Sequence, residues 1–204
     1  MTRGRLIAFE GGEGIGKSTQ AERLACHLDA VLTREPGGTA VGERVRELLL
    51  DRAVSGLDAR AEALLMAAAR AHHVATVIRP AVDAGRDVVT DRYSHSSLAY
   101  QGYGRGLDVE ELRDLSTWAT AGLWPDLVVL LEVSVDEANA RRERLGLPPD
   151  RMEAEADEFH RRVVEGFRAM AAADPERWVV IDGTGDPDAV ADRVRAAVDA
   201  KLAR

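Results

Sequence analysis

Apolar and polar residues follow two different spacings along this chain, and the two spacings alternate. Short apolar runs bounded by glycine, proline or charged residues predict buried strands. Stretches in which apolar residues recur every three or four positions predict helices between those strands. The predicted strands cover 6–9, 30–33, 87–90, 127–133 and 178–181. The predicted helices cover 18–28, 40–50, 57–84, 94–122 in two pieces, 136–144, 151–173 and 187–202.

Single residues set several of these boundaries. Thr39 follows a Pro-Gly-Gly loop and predicts a side-chain cap for the helix that runs to Leu50, whose apolar residues fall on one face. Pro80 predicts a kink or an early break in the long helix of 57–84, and Gly85 ends that helix. The glycines between 102 and 106 separate the two helical pieces of 94–122.

Strands that alternate with helices are typical of a parallel sheet covered by helices on both faces. The sequence therefore predicts an α/β fold with a five-stranded parallel sheet in a three-layer arrangement. Ligands bind such sheets outside the carboxyl ends of the strands. The loop at Gly11, the loop at Arg34, the Asp91-Arg92 pair and the loop after Val133 all follow predicted strands. We therefore expect these four segments to meet at one edge.

Composition narrows the function. The 204 residues are 46% apolar and 30% charged without a linker, which predicts a single domain over 1–204. The net charge of −8 argues against general binding to nucleic acid and favours small phosphorylated ligands. The single cysteine, Cys26, fits a reducing compartment, and its place in the first helix predicts a core position. No apolar run is long enough to span a bilayer, so we predict a cytoplasmic protein with no membrane partner.

A phosphate-binding loop follows the first strand. Residues 11–18 read Gly-Gly-Glu-Gly-Ile-Gly-Lys-Ser and match the pattern G-x-x-x-x-G-K-[ST]. Its glycines allow backbone N–H groups to converge on phosphate oxygens, Lys17 adds a positive charge, and the hydroxyl of Ser18 can bind Mg²⁺. The alternative is an ordinary glycine-rich turn. The predicted nucleotide-binding residues are Gly11, Gly12, Glu13, Gly14, Ile15, Gly16, Lys17, Ser18 and Thr19.

Four further motifs carry a family resemblance. They are Thr33-Arg-Glu-Pro-Gly-Gly-Thr39, Asp91-Arg-Tyr93, Ser96-Ser-Leu-Ala-Tyr-Gln-Gly102 and Asp150-Arg-Met-Glu153. Together with the phosphate loop they span nearly the whole chain, which resembles the bacterial thymidylate kinases, P-loop kinases of nucleoside monophosphates. The resemblance implies a P-loop NTPase fold, transfer of the γ-phosphoryl group of ATP to dTMP with Mg²⁺, and a homodimer. The apolar face of 61–82 is the one hint of a dimer in the residues themselves.

The resemblance also implies roles for three residues near the donor. Asp91, at the end of a predicted strand, would bind Mg²⁺ with Ser18, although it would alternatively cap the next helix. Arg92 would hold the acceptor phosphate, with a surface ion pair as the alternative. Glu13 would lie between donor and acceptor, or it is an exposed loop acid that points away.

A larger set is expected to contact dTMP. Arg34 and Arg46 would flank its phosphate, while Arg70, Ser97 and Gln101 would read the thymine edge. Met66 stands where the family usually carries a phenylalanine that stacks on the base, so this contact is either made by a thioether or lost, and base preference stays open. The predicted substrate-binding residues are Glu10, Arg34, Arg46, Met66, Arg70, Arg92, Ser97, Tyr100 and Gln101.

The cation that stabilises the transition state must come from outside the phosphate loop, because that loop contains no arginine. The resemblance is to the subclass of the family in which a lid supplies it, here at about 141–152. The lid candidates are Arg141, Arg142, Arg144 and Arg151, with a solvated basic helix edge as the alternative. The predicted catalytic residues are Glu13, Lys17, Arg92, Arg141, Arg142, Arg144 and Arg151.

Two other functions stay open. One is a kinase for another nucleoside monophosphate, which Met66 allows. The other is a nucleotide-binding P-loop protein without catalysis, either a switch or a silent relative. A GTPase would carry an Asn-Lys-x-Asp motif, which this sequence lacks, and the intact Lys17, Ser18, Asp91 and Arg92 argue against a silent relative.

Overall fold

A five-stranded parallel sheet forms the centre of the molecule. The computed structural model describes residues 2–134, 137, 138, 140, 141, 146 and 149–203. The strands lie in the order β2-β3-β1-β4-β5, and every neighbouring pair is parallel. Their bounds are β1 Leu6–Glu10, β2 Val31–Arg34, β3 Val88–Asp91, β4 Leu127–Glu132 and β5 Trp178–Asp182. The predicted sheet is confirmed.

Helices cover both faces of this sheet within the part of the chain that the structure describes. They are α1 Lys17–Leu28, α2 Ala40–Leu50, α3 Ala59–His73, α4 Arg79–Asp83, α5 Ser94–Ser97, α6 Val109–Ala119, α7 Asp157–Ala173 and α8 Pro187–Leu202. Two π-helical segments, Val74–Ile78 and Leu98–Gly104, join α3 to α4 and continue α5. Residues 137, 138, 140 and 141 are also helical.

Alternating side chains of β1 divide the core into two sides. Ile7 and Phe9 pack with Leu24 of α1 and with the apolar stripe of α8. Leu6 and Ala8 pack on the opposite face against the π-helical segment at 74–78 and Tyr93. Because Leu6, Ile7 and Phe9 are wholly buried, the position of β1 is fixed from both faces, and the loop that follows it starts from a rigid base.

Most predicted helix boundaries agree with the structure. Thr39 caps α2, since its side chain accepts a hydrogen bond from the backbone N–H of Gly42, and α8 begins and ends at the predicted residues. The predicted helix 57–84 is divided, because a wider π-helical turn precedes Pro80, which has no backbone N–H. Gly85 ends it with a φ of 79°.

Two predictions are wrong. The helix predicted from Arg151 begins only at Asp157, because the carboxylate of Asp150 accepts the backbone N–H groups of Met152 and Glu153 and closes a turn first. Cys26 is exposed rather than in the core. The buried stripe of α1 ends on that face at Leu24 and Ala25, and Cys26 lies beyond its edge.

Candidate functional site

One cleft of about 340 Å³ lies outside the carboxyl ends of β1, β2 and β3. It brings together residues that are distant in sequence, as the parallel sheet predicts. The predicted residues that line it are Glu13, Gly14, Ile15, Gly16, Lys17, Ser18, Thr19, Arg34, Arg46, Met66, Arg70, Asp91, Arg92, Ser97, Tyr100 and Gln101. Glu10, Gly11, Gly12, Arg141 and Arg151 do not line it.

The phosphate loop begins at Gly11, where the backbone requires glycine. The φ of Gly11 is 135°, and a Cβ at this position would lie 2.5 Å from the carbonyl oxygen of Leu131. The loop therefore turns sharply off β1 against β4. Gly16 then forms the left-handed cap of α1, with a φ of 93°, and directs the positive end of the helix dipole into the cleft.

Lys17, Ser18 and Asp91 form the polar group at the start of α1. The buried Lys17 donates its ammonium to the carbonyl oxygen of Gly12, within its own loop. Ser18 Oγ donates to Asp91 Oδ2 at 2.5 Å. Asp91 Oδ1 is buried and lacks a hydrogen-bond partner in the described part of the chain. A hydroxyl beside a carboxylate with a free oxygen is the hard-oxygen donor set that Mg²⁺ takes, so these two residues fit that ion.

Asp91 does not cap the helix after it. The N-cap of α5 is Tyr93, and no side chain caps it. That alternative reading of Asp91 is wrong.

Glu13 and Arg92 join the phosphate loop to the rest of the cleft, here called the acceptor half, which is lined by Arg34, Arg46, Met66, Arg70, Ser97, Tyr100 and Gln101. Arg92 Nη2 donates to Glu13 Oε1 at 2.7 Å, and the hydroxyl of Tyr100 donates to the same oxygen at 2.7 Å. Arg92 Nη1 reaches the carbonyl oxygen of Gly11 at 3.0 Å and Ser96 Oγ at 3.1 Å. Glu13 therefore points into the cleft rather than away, and its pair with Arg92 is largely enclosed rather than a surface pair.

Charges around this pair keep it ionised. Burial opposes ionisation of Glu13, but the positive charges of Arg92 and Lys17 and the hydrogen bond from Tyr100 hold the pKa of Glu13 at about 2. Burial likewise disfavours the charged guanidinium of Arg92, yet Glu13 and Asp91 raise the pKa of Arg92 well above its ordinary value. Glu13 and Arg92 are therefore both charged at neutral pH and form a fixed ion pair at the centre of the cleft.

The ionisation of Glu13 predicts a pH-dependent stability. The pKa of Glu13 is about 2 when folded against an ordinary value of 4.5, which corresponds to as much as about 3 kcal/mol at neutral pH. Since the folded pKa is the lower one, this stability is present above pH 4.5 and is lost as pH falls through 2. We expect the stability gap between wild type and Glu13→Gln in urea unfolding to shrink by about 1 kcal/mol from pH 7 to pH 3.5. A stability difference that stays constant with pH would contradict the lowered pKa of Glu13.

Glu10 holds the segment that follows β3 in place. It is wholly buried, and Oε1 accepts the backbone N–H groups of Tyr93 at 3.0 Å and Ser96 at 3.1 Å, while Oε2 accepts Ser96 Oγ at 2.6 Å. Burial raises the pKa of Glu10 to about 7, against the effects of Arg92 and Ser96. The prediction that Glu10 contacts substrate is not matched by this placement, because the side chain holds the start of α5 and does not reach the cleft.

Two arginines stand at the mouth of the acceptor half. Arg34 is half-exposed and pairs with Glu43 at 2.9 Å, and Arg46 Nη1 donates to the carbonyl oxygen of Pro36 at 3.1 Å. Burial and the nearby positive charge of Arg34 lower the pKa of Arg46. An anion bound between the two guanidinium groups would relieve this repulsion.

The far end of the cleft contains buried hydrogen-bonding side chains. Arg70 Nε donates to Glu35 Oε2 at 2.6 Å and Nη2 donates to Ser97 Oγ at 3.1 Å, and all three residues are buried. Gln101 Nε2 donates to Glu62 Oε1 at 2.9 Å. Because Arg70 and Gln101 are each fixed by hydrogen bonds to buried protein groups, they present a rigid polar wall to a ligand.

Sequence reasoning missed the two acids that hold this wall in place, Glu35 and Glu62. Glu35 lies inside the Arg-Glu-Pro loop that it singled out, and also accepts from His73 Nδ1 at 2.9 Å. Glu62 precedes Met66 by four residues and Arg70 by eight, so the three share one face of α3. That spacing on one helix face was the signal in the sequence that could have identified Glu62 as a neighbour of the site.

The two lid arginines that the structure describes, Arg141 and Arg151, do not line the cleft. Arg141 Nη1 donates to the carbonyl oxygen of Ile15 at 3.0 Å and Nη2 to that of Gly183 at 2.9 Å, so its guanidinium lies against the phosphate loop. Arg151 Nη2 pairs with Glu62 at 2.6 Å and Nε donates to the carbonyl oxygen of Leu49 at 2.6 Å. Arg151 is therefore bound to α3 and not directed at the phosphate loop. Arg142 and Arg144 lie outside the described residues.

The chain is similar to known thymidylate kinases over nearly its whole length. The thymidylate kinase family model matches residues 9–194. The chain is 48% identical over 210 residues to a thymidylate kinase of Desulfovibrio desulfuricans, covering 98% of this chain and 97% of that protein. It is 50% identical over 202 residues to one from a Synechococcus species, covering 97% and 96%. A crystal structure of thymidylate kinase from Ehrlichia chaffeensis superimposes with a TM-score of 0.77 and 32% identity, covering 96% of this chain and 99% of that one.

No helix in the described part of the chain is both long enough and apolar enough to cross a bilayer.

Proposed function

As a member of the thymidylate kinase family, this chain phosphorylates dTMP to dTDP, and we propose that ATP is the donor and that the cleft described above performs the transfer with Mg²⁺. The observation that carries this assignment is the Glu13-Arg92 pair, which links the phosphate loop directly to the acceptor half of the cleft. A protein that only binds or hydrolyses a nucleotide does not need a second set of binding residues for a phosphate acceptor.

The donor half binds the triphosphate through backbone and charge. The phosphate loop from Glu13, the start of α1 and Lys17 all line the same cleft, where loop N–H groups and a positive charge would bind phosphate oxygens. Ser18 and Asp91 would hold Mg²⁺, which neutralises phosphate charge when it is bound. Lys17 would exchange its contact with the carbonyl oxygen of Gly12 for the donor phosphates.

The acceptor half positions the monophosphate. Arg92 offers a planar fork at the junction of the two halves, and Arg34 and Arg46 add positive charge at the mouth. Glu13 fixes Arg92 and accepts a hydrogen bond from the hydroxyl of Tyr100, and both Glu13 and Tyr100 would lie on the sugar side of the bound monophosphate. Holding both phosphates in line in this way supplies most of what phosphoryl transfer needs.

The base end selects the nucleobase. Arg70, Ser97 and Gln101 present buried polar groups there, and Met66 lines the same wall. A base that leaves such groups unpaired loses much more binding energy than one that merely fits poorly. The thioether of Met66 would contact the aromatic ring of the base and so replace the stacking contact of a phenylalanine.

The transition-state cation is assigned to the lid. Arg141 already lies against the carbonyl oxygen of Ile15, at the edge of the phosphate loop, and is the described lid arginine nearest to that loop. A short shift of its guanidinium would reach the donor phosphates. Arg142, Arg144 and Arg151 stay candidates for the same role when the lid closes over bound substrates.

A panel of monophosphates tests the substrate. We expect kcat/KM for dTMP to exceed the values for dCMP and dGMP by at least about 1,000-fold, because those bases leave the polar wall unpaired. The measurement is a coupled ADP-release assay with dTMP, dUMP, dCMP and dGMP at fixed ATP. Because Met66 replaces a stacking ring, another kinase specificity is the second candidate, and a faster rate with any of the other three would select it.

We also propose a homodimer in a cytoplasmic location. Leu48 of α2, Leu64 of α3 and Trp118 of α6 are exposed, and α3 packs beside both other helices. A second copy of the chain would cover this apolar face. Sedimentation velocity that found only monomers at micromolar concentration would reject the dimer. The exposed thiol of Cys26 fits a reducing compartment such as the cytoplasm.

A further inference from the structure

Glu62 is a buried carboxylate that receives hydrogen bonds from three side chains, two in the segment 98–105 and one at Arg151. Its side chain is wholly buried on α3. Gln101 Nε2 reaches Oε1 at 2.9 Å, Arg105 Nη2 reaches Oε2 at 3.2 Å, and Arg151 Nη2 reaches Oε2 at 2.6 Å. Burial opposes ionisation, but these hydrogen bonds outweigh it and lower the pKa of Glu62. An ionised carboxylate with several donors accepts hydrogen bonds only.

This chemistry decides which way the amide of Gln101 faces. An amide has a donating nitrogen and an accepting oxygen, and either orientation fits the same space. Because the carboxylate of Glu62 only accepts hydrogen bonds, the amide atom that lies 2.9 Å from its Oε1 must be the donating nitrogen of Gln101. Gln101 Oε1 is then left buried without a partner among the described residues, while Gln101 lines the cleft. An unpaired buried acceptor is costly unless a ligand supplies a donor.

Arg70 supplies the complementary group in the same wall. Its Nε and Nη2 are occupied by Glu35, Ser97 and the carbonyl oxygen of Tyr93. Its Nη1 makes no hydrogen bond to any residue that the structure describes, and an arginine nitrogen can only donate. The wall therefore presents one fixed acceptor and one fixed donor.

This pair distinguishes two kinds of pyrimidine. A 4-keto pyrimidine such as thymine carries a donor at N3 and an acceptor at O4, whereas the 4-amino pyrimidine cytosine carries an acceptor at N3 and a donor at N4. The fixed acceptor and donor match the first and oppose the second. If the amide of Gln101 were free to turn, half of this discrimination would be lost.

We propose that Glu62 is a positioning residue that fixes the amide of Gln101 and so makes the cleft select 4-keto over 4-amino pyrimidine monophosphates. The proposal deepens the proposed function and rests on it. Glu62 does not line the cleft, so its effect on selectivity passes through Gln101.

Glu62→Gln tests this role. An amide at position 62 can donate or accept, so both orientations of Gln101 become available. We expect the ratio of kcat/KM for dTMP to that for dCMP to fall at least about tenfold, through KM more than kcat. The preference for dTMP over its N3-methyl analogue, which lacks the N3 donor, should fall in the same variant. A merely structural role for Glu62 would lower both rates together and leave these ratios unchanged.

Arg105→Lys is the matched control. This variant changes another partner of the Glu62 carboxylate, since Arg105 Nε lies 3.3 Å from Glu62 Oε1. It leaves Glu62 able to accept the hydrogen bond from Gln101. We expect this variant to lose stability and to keep the wild-type substrate ratio. If Glu62→Gln does not fold, the double variant Glu62→Gln with Arg105→Gln removes the carboxylate together with a cation that it balances, and the same ratios are read.

The outcomes separate the two proposals. A wild type that does not prefer dTMP overturns the proposed substrate. A wild type that prefers dTMP, with wild-type ratios in a folded Glu62→Gln or in the double variant, overturns the role of Glu62 alone. A ratio that falls equally in Arg105→Lys also overturns it, since any disturbance of the cluster would then suffice.

Discussion

Lys17→Ala is expected to lower kcat by at least about 1,000-fold, since it removes a buried positive charge from the phosphate loop. In phosphoryl transfer, negative charge spreads over the transferred group, and a preorganised cation there acts mainly in the transition state. Lys17 is buried at the start of α1, where burial and the charge of Arg92 lower its pKa. No other lysine lies nearby to replace it, because the chain contains only Lys17 and Lys201.

The second lysine provides the control. Lys201 donates to the carbonyl oxygens of Pro175 and Glu176, and it lies near the end of α8. We expect Lys201→Ala to retain the wild-type kcat. Steady-state turnover gives the rates, and calorimetry with dTMP shows whether the acceptor half of Lys17→Ala remains intact. Turnover within about tenfold of wild type would remove Lys17 from the mechanism.

The sheet and the phosphate loop could be predicted because their signals are local. Each strand is a short apolar run, and α2 and α8 begin at side-chain caps, Thr39 and Asp186. The parallel arrangement then follows from alternation, and it places Gly11, Arg34 and Asp91 on one edge. Local pattern and long-range packing agree in these parts of the chain.

The buried acids could not be predicted in the same way. Glu35 and Glu62 look like ordinary polar residues in the sequence, and their burial depends on cations brought from other elements, such as Arg70 and Arg105. A charged side chain is buried only when partners compensate for its lost hydration. Those partners become visible only in the folded chain, apart from the spacing of Glu62, Met66 and Arg70 on α3.

Boundary errors have a similar cause. The apolar spacing of 151–173 is helical, but the side chain of Asp150 competes for the backbone N–H groups that would begin that helix. Arg151 is then drawn to Glu62 rather than to the phosphate loop. Its placement was set by a residue 89 positions earlier, which a local pattern does not contain.

Arg92→Lys is expected to lower kcat/KM for dTMP by about 100-fold to 1,000-fold although the charge is kept. The guanidinium of Arg92 contacts four groups at once: Glu13, Tyr100, Ser96 and the carbonyl oxygen of Gly11. A lysine ammonium has three N–H donors where a guanidinium has five, so it cannot keep these four contacts and also donate to a phosphate. The φ of Arg92 is 71°, so its side chain leaves a left-handed backbone position that directs it between the two halves of the cleft.

Arg34→Lys separates the shape of the arginine from its charge. Arg34 is half-exposed and has one described acid partner, Glu43, so its contribution is chiefly long-range attraction, which lysine preserves. We expect kcat/KM for Arg34→Lys to fall less than about tenfold and to depend more on salt than that of Arg92→Lys. Kinetics at varied dTMP and two ionic strengths measure both. Equal losses in the two variants would mean that Arg92 acts only as a charge, and that its fixed place beside Glu13 does not contribute to the transfer.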